Sequence, residues 1–493
     1  MKSSILFIFG LFLFTFAFVA CEKESFYTGN DAKLEFSKDT LRFDTVFTAV
    51  GSATRSFKIL NPYDKTLIVN KIFLEKGEQS IFNLNIDGVS GDSQTSIEIP
   101  ANDSIYVFAE VTINPNDQNN PFILNENIVF ETNGVVQKVV LEAWGQNANY
   151  IPNKDFKGKI ALIDADQTWN DPKPYVIYGT LVIDNAKLTL PAGTRVYVHG
   201  GLVKGETEKK EKYVFNDGRI YVINGGSIDA QGTKSKPVLI GGDRLEKDFE
   251  NTPAQWNLMY FGTGCSANFT YTTVKNSRLG VYADSLAVLD FKYSKIYNTA
   301  GPAIYARQAE VTLDNCLMYN NGASSLFLEQ GGNTSLTYCT LANYGNNASS
   351  LYVSNTFCKR QDDKGNCVQR INFPLNFNAQ NCIVASSQRD ALDIGQSKDA
   401  AMDYAFDHCV LNVEKILEPK NFPDFLTKNC KNCFNFKNSD RLFKSKDYDN
   451  YKLDTLSVAE MKAIPLPNFN FDLDGTPRDA QKPDIGAYEY KPK

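Results

Sequence analysis

The side chains that could do chemistry are few, and their spacing limits what they could do. The chain has two histidines, His199 and His408, among 493 residues. That leaves little room for histidine-based acid–base catalysis or a His-rich metal site. Ten cysteines are present. Cys430-Lys-Asn-Cys433 is a single CxxC, with no second CxxC or HxxxH to complete a zinc set and no thioredoxin-like βαβ pattern around it. It reads as a local disulfide or two free thiols. Cys358 and Cys367 flank the polar run Lys-Arg-Gln-Asp-Asp-Lys-Gly-Asn. In an oxidising compartment that arrangement predicts a bridge across a loop. Asp362-Asp363 has the residue types of a glycosidase carboxylate pair, but its place at a polar loop tip reads as a solvated turn. Asp472-Leu-Asp474-Gly475 has part of a calcium loop without the frame that ends in Glu, and reads as turn chemistry. No catalytic residue, metal site or cofactor is assigned from these groups.

The N-terminus sets the compartment. Lys2 is followed by an uncharged apolar run from Ile5 to Ala20 that stops at Cys21. The run is too short for a membrane span and has the form of an export signal. Phe18-Val19-Ala20-Cys21 resembles the lipobox of bacterial lipoproteins, with Phe18 where Leu is usual. The resemblance implies a signal peptide over 1–20, acyl chains on Cys21 and a short tether over 21–31. Several acyl chains on one residue anchor a protein stably. Glu22-Lys23-Glu24 resembles a surface-export signal of one Gram-negative phylum, and reads equally as a solvated tether. The expected location is the outer membrane, lipid-anchored and facing the cell surface. The membrane, through that anchor, is one partner. A well-mixed net charge of -6 gives no basic footprint for nucleic acid. Thr40, Thr45, Ser104, Ser285 and Thr455 each follow Asp and precede Leu, Val or Ile. This resembles an O-glycosylation motif of the same kind of envelope.

Two larger regions must position everything else. Over 32–147, short alternating runs such as Phe57-Lys-Ile59 and Leu67-Ile-Val69 are broken by turn residues, with Asn133-Gly134 the sharpest hairpin signal. This predicts an antiparallel sandwich and resembles immunoglobulin-like modules of envelope lipoproteins, which mostly serve as spacers or binding modules. Residues 148–170 read as a linker and the start of the next region, a β-helix.

Beyond that, the chain repeats. Phe269-Thr-Tyr-Thr272-Thr-Val274-Lys-Asn276 aligns with segments beginning at Phe291, Leu313, Leu336, Ala379 and Phe406. The fourth position runs Thr272, Ser294, Cys316, Cys339, Cys382, Cys409, with first steps of 22, 22 and 23 residues. That period fits one coil of a parallel β-helix. Positions one, four and six are apolar or small and should face inward. A strand alternates faces strictly, so a bend must lie at positions two and three. Cys316, Cys339, Cys382 and Cys409 then become buried packing thiols. The eighth position, Asn276, Asn298, Asn320 and Asn343, predicts an amide ladder in which each side chain bonds the next. His408 occupies position three and reads as a bend residue. The redox state of Cys265, Cys430 and Cys433 stays open. The strings Gly179-Thr-Leu-Val-Ile183 and Ile220-Tyr-Val-Ile-Asn-Gly-Gly226, with the tail Asp474-Gly-Thr-Pro-Arg478 and Asp484-Ile-Gly-Ala-Tyr-Glu489, resemble right-handed parallel β-helix proteins of the pectate-lyase-like, choice-of-anchor Q type. The expected fold is therefore all-β: an immunoglobulin-like sandwich, then a right-handed single-stranded parallel β-helix over 171–493 with a C-terminal cap.

Function is read from the outward positions. Position two, Thr270, Lys292, Asp314, Thr337, Gln380 and Asp407, carries no run of reactive groups. This favours non-catalytic binding of a glycan or another surface partner along the β-helix. A polysaccharide lyase or glycoside hydrolase of the same fold, and a structural spacer or adhesin stalk, are the alternatives.

Overall fold

The computed structural model describes residues 25–48, 51–114, 122–151, 160–206, 212–345, 347–362, 364–437 and 439–492. The leader and Cys21 lie outside the described residues. The chain divides into two compact units, Met1–Asn147 and Ala148–Lys493.

The first unit is a sandwich of two five-stranded sheets. One sheet orders Glu35–Phe36, Arg55–Leu60, Ser104–Val111, Phe82–Ile86 and Val89–Ser90 side by side. The other orders Thr40–Phe47, Val135–Gln146, Phe122–Thr132, Leu67–Leu74 and Ser93–Ile99. Alternation along these strands sends Phe57, Ile59, Val69, Val107 and Leu141 into a common core. Asn133 and Gly134 both take positive φ, 46° and 86°, and close the hairpin between Phe122–Thr132 and Val135–Gln146. A two-residue loop of this twist needs positive φ at both positions. The described part of the expected tether is not free. Phe26 bridges to Thr66, and Tyr27 stacks on Tyr63 at 3.8 Å. Those two aromatic residues have a sandwich flank to lie on, which their charged surroundings in the sequence concealed.

The second unit is a parallel β-helix. Each coil contributes a leading, a middle and a trailing strand. Trailing strands stack into an eleven-stranded sheet, and leading and middle strands join in a seventeen-stranded one. Coiling starts at Asn149–Ile151, paired with Tyr175–Tyr178, within the stretch read as linker and start of the β-helix. Position one of the repeat stacks in register as Phe269, Phe291, Leu313, Leu336, Ala379 and Phe406. These side chains and those of position six, Val274 to Leu411, fill the interior.

The bend is a single residue. Position two ends the middle strand, and position three alone turns left-handed: Tyr271, Tyr293, Asn315, Tyr338, Asn381 and His408 have φ between 43° and 56°. Left-handed backbone costs a non-glycine residue about 1–2 kcal/mol. Stacking offsets part of that, as between Tyr271 and Tyr293, with centroids 4.8 Å apart and rings 10° from parallel. Asn432 takes the same conformation, φ 52°, so Cys430-Lys-Asn-Cys433 is one more coil. The CxxC spacing is positions one and four of the repeat.

Within the expected C-terminal cap, residues beyond Phe436 run along the outer face of the trailing-strand sheet. Leu442, Tyr451, Leu473, Ile485 and Tyr488 pack there on Leu317, Ala342, Ile383 and Val410, forming a second core. Arg478 is enclosed in it. Its guanidinium donates to Asn315 Oδ1 at 2.7 Å and Gly486 O at 2.9 Å, pairs with Glu489 at 3.3 Å and lies 3.8 Å from the Tyr338 ring centre. Asp472 Oδ1 accepts from Thr476 N, so the calcium-like run is turn chemistry within this segment.

Candidate functional site

The leading strands build the most distinctive outer surface. Each reads apolar, aromatic, apolar. Ile220 and Val222, Met259 and Phe261, Val281 and Ala283, Ile304 and Ala306, Leu326 and Leu328, and Leu351 and Val353 point inward and are buried. The residue between each pair must point out. The register places Tyr221, Tyr260, Tyr282, Tyr305, Phe327 and Tyr352 in one column. Successive ring centroids are 5.4, 5.3, 4.9, 5.3 and 4.2 Å apart. Five coil steps of about 4.8 Å make a row roughly 24 Å long. All six rings stay partly exposed.

Charged groups border the row. Two residues further along their strands stand Asp284, Arg307 and Glu329. Tyr260 donates its hydroxyl to Asp284 at 2.8 Å, and Tyr305 donates to Glu329. Arg307 donates to the Tyr282 hydroxyl at 3.4 Å and to Gln330 at 2.7 Å. Burial first, and then these carboxylates, hold the Tyr260 and Tyr305 phenols well above their ordinary pKa, so the hydroxyls remain donors. At one end Arg219 donates to the Tyr221 hydroxyl at 3.1 Å and lies over Phe215, 4.1 Å from its centre. Phe215 in turn packs against Tyr213 at 5.4 Å on the hairpin Leu202–Glu206 and Lys212–Asn216. Near the other end, Phe357 lies under the Arg307 guanidinium at 4.9 Å. Phe357 belongs to the hairpin Thr356–Gln361 and Cys367–Asn372, in which Cys358 and Cys367 are joined by a disulfide.

Position two of the repeat does not show this row, because the rings stand on the leading strands and not at the end of the middle ones. The signal was present: aromatic residues flanked by apolar ones recur at 260, 282, 305, 327 and 352. The steps among these are 22, 23, 22 and 25 residues, whereas Tyr221 stands 39 residues before Tyr260.

The other expected residues lie elsewhere. Thr272, Ser294, Cys316, Cys339, Cys382 and Cys409 form a buried inner column. Ser294 Oγ donates to Phe269 O at 3.2 Å, and Cys339 Sγ to Leu313 O at 3.2 Å, so hydroxyl and thiol use one pattern. Burial pushes the Cys316, Cys382 and Cys409 thiols up. Cys433 extends the column, and Cys265, Cys430 and Cys433 are free thiols.

The amide ladder is corrected. Asn276 Nδ2 donates to Glu250 O, Asn298 Nδ2 to Asn251 Oδ1 and Asn320 Nδ2 to Asp449 Oδ1, not to one another. All three have positive φ, which asparagine tolerates. Their side chains therefore serve neighbouring loops. Asn343, the fourth member, instead stitches coils through the backbone, as Asn412 and Asn435 do. Asn343, Asn412 and Asn435 each accept from a backbone N–H of the coil before, at 2.9 to 3.0 Å, and donate to a carbonyl there at 2.9 Å.

His408 is held at both nitrogens, by Asp407 at 2.7 Å and Asn432 at 3.2 Å. Asp362 accepts from the backbone of Lys364 and Asn366, a closed turn, and Asp363 lies outside the described residues. Among position-two residues, Asp314 is distinctive. Burial first, then the neighbouring Cys339 and last Asp290, pushes its carboxyl up to about 6, although Thr337 and Lys292 oppose the shift. No cluster of His, Cys, Asp and Glu able to hold a metal is found among the described residues.

By fold the second unit is a right-handed parallel β-helix. Residues 259–409 match the family model described as a right handed beta helix region. No curated protein matches the chain. Among solved structures, PapD-like domain 7 of human CEP192 is 9% identical, covering 27% of this chain and 97% of that one, with a TM-score of 0.18. A family 123 glycoside hydrolase from Clostridium perfringens is 6% identical over 48% of this chain and 68% of that one, TM-score 0.18. The catalytic domain of a GH87 alpha-1,3-glucanase, in complex with tetrasaccharides, is 10% identical over 72% and 80%, TM-score 0.20. Likenesses this distant transfer no function.

Proposed function

We propose that this protein is a lipoprotein anchored through Cys21 at the outer face of the envelope, where it binds a glycan along the leading-strand face without cleaving it. The observation that carries this reading is the six-ring row with its border of Asp284, Arg307 and Glu329. Sugar rings have apolar C–H patches and hydroxyl rims. Aromatic side chains with polar tips offer the matching surface. The coil rise of about 4.8 Å is close to the length of one hexose in an extended chain, so a polymer lying along the axis meets an equivalent group at each coil. The rigid stack holds the groups in place before the ligand arrives, which lowers the ordering cost of binding.

The test is affinity electrophoresis of the mature chain through gels containing a panel of polysaccharides. Tyr282→Ala with Tyr305→Ala should keep the melting temperature within a few degrees and weaken binding at least tenfold, since each ring contributes on the order of 1 kcal/mol. Retardation that is unchanged by the double substitution, or absent with every polymer, would overturn the reading.

A second reading, a polysaccharide hydrolase or lyase, is favoured by one observation: the raised Asp314 carboxyl could donate a proton near neutral pH. Release of reducing or unsaturated ends by the wild type, and its loss in Asp314→Asn, would establish that reading over the first.

A further inference from the structure

The sandwich carries a groove that neither its core nor the β-helix face explains. It lies on the outer face of the sheet whose central strand is Ser104–Val111 and has a volume of about 570 Å³. That is within the roughly 300–1,000 Å³ of small-ligand sites. Strand alternation puts Tyr106, Phe108 and Glu110 outward, and the register sets Asn83 opposite Glu110. Phe108 forms one wall of the groove and is 37% exposed. It is braced from behind: Tyr106 stacks on it at 5.7 Å, and the Lys58 ammonium lies 4.9 Å from the Tyr106 centre. Asp92 lines the groove beyond the short strand Val89–Ser90.

The polar lining is unused by the protein. Among the described residues, the side chains of Thr54, Asn83, Asp92 and Glu110 have no hydrogen-bond or ion-pair partner, while Asn85 beside them is bonded to Ser90. An aromatic wall faces two free carboxylates, a free amide and a free hydroxyl. The matching ligand has an apolar face with both hydrogen-bond donors and acceptors around its rim. It carries no negative charge, because Asp92 and Glu110 would repel one.

We infer that this groove binds a short stretch of neutral glycan, one hexose against Phe108 with its hydroxyls held by Asn83, Asp92 and Glu110. The site is independent of the β-helix row and of any reading of it. The anchored molecule would then grip saccharide at two places, and linked sites bind a polymer more tightly than either alone.

Calorimetric titration of the full mature chain with maltose, cellobiose, lactose and N,N′-diacetylchitobiose tests this, with digalacturonate as the charged counterpart. At least one neutral disaccharide should bind saturably, and digalacturonate more weakly. Phe108→Ala should weaken that binding by about tenfold at an unchanged melting temperature, since the ring is exposed. Glu110→Gln should narrow the gap between the neutral and charged sugars, and Val136→Ser on the opposite sheet should change nothing. The inference fails if no neutral disaccharide binds, if Phe108→Ala binds as the wild type does, or if digalacturonate binds as tightly as the neutral sugars.

Discussion

Two faces of one β-helix carry stacked aromatic rings, and the chain treats them differently. On the trailing-strand face, Tyr297 stacks on Tyr319 at 4.6 Å, and the C-terminal segment adds Tyr451 to the stack at 5.1 Å. Tyr338 is almost wholly buried there, against Phe469 at 5.6 Å and Arg478. On the leading-strand face, six rings run in register and all stay partly exposed. A ring column by itself is thus an ordinary product of coil stacking. Where the fold needs the column dry, some fifty residues of chain cover it. The uncovered column stands out for that reason, and its hydroxyls are tied to carboxylates and a guanidinium that solvent and ligand can reach.

The comparison breaks most sharply at Arg478. Arg478→Met should lose about 3–5 kcal/mol, because Glu489 would be left buried without its partner. Urea unfolding of the full chain measures this. Tyr338→Ala should cost about 3–5 kcal/mol as a buried aromatic truncation, against about 1 kcal/mol for Tyr305→Ala on the open face. Equal losses would remove the distinction drawn between the two columns.

The inner column comes next in size. Cys339→Asp buries a carboxyl between coils, which must take up a proton or lose several kcal/mol. Cys339→Ser should cost only about 1 kcal/mol, since Ser294 already makes the same carbonyl bonds. Thermal unfolding of the two variants side by side separates polarity from size.

Asp314 ends a middle strand, next to the bend at Asn315. Its pKa is raised in the folded state to about 6. The folded chain therefore holds that proton more firmly than the unfolded chain, and stability falls as pH rises from about 4 to 6. Asp314→Asn should accordingly stabilise by about 1–3 kcal/mol at pH 8 and by nothing near pH 3.5. A stabilisation independent of pH would show that the carboxyl is not strained by burial. The smallest effect is expected at the bend. His408→Asn should cost under about 1 kcal/mol and leave glycan retardation unchanged, because Asn315 and Asn381 already fill the equivalent corner.

Much of the β-helix was legible because a coil is a local repeat. Position four had to be small where coils stack, and the parity of positions one and four required a bend before Thr272, Ser294 and Cys316. The coil at Cys430-Lys-Asn-Cys433 is hidden because cysteine replaces the apolar residue of position one, so the spacing reads as a local disulfide or two free thiols instead of as register. The amides of Asn276, Asn298 and Asn320 were read for their side chains, when their backbone conformation is what selects asparagine. The covering of the trailing-strand face could not be read at all. Tyr338 and Arg478 are far apart in sequence, and nothing local to either signals the other. The aromatic row lies between these cases: each triplet is local, but the 39 residues from Tyr221 to Tyr260 break the spacing that links the rest.

The C-terminal covering also orders events in time. Its residues, from Leu442 to Tyr488, seal the coils that include Leu317, Ile383 and Val410. Those coils leave the ribosome earlier, yet they cannot reach their final burial until the last residues of the chain arrive. A polypeptide interrupted before Arg478 would carry an unsealed apolar flank.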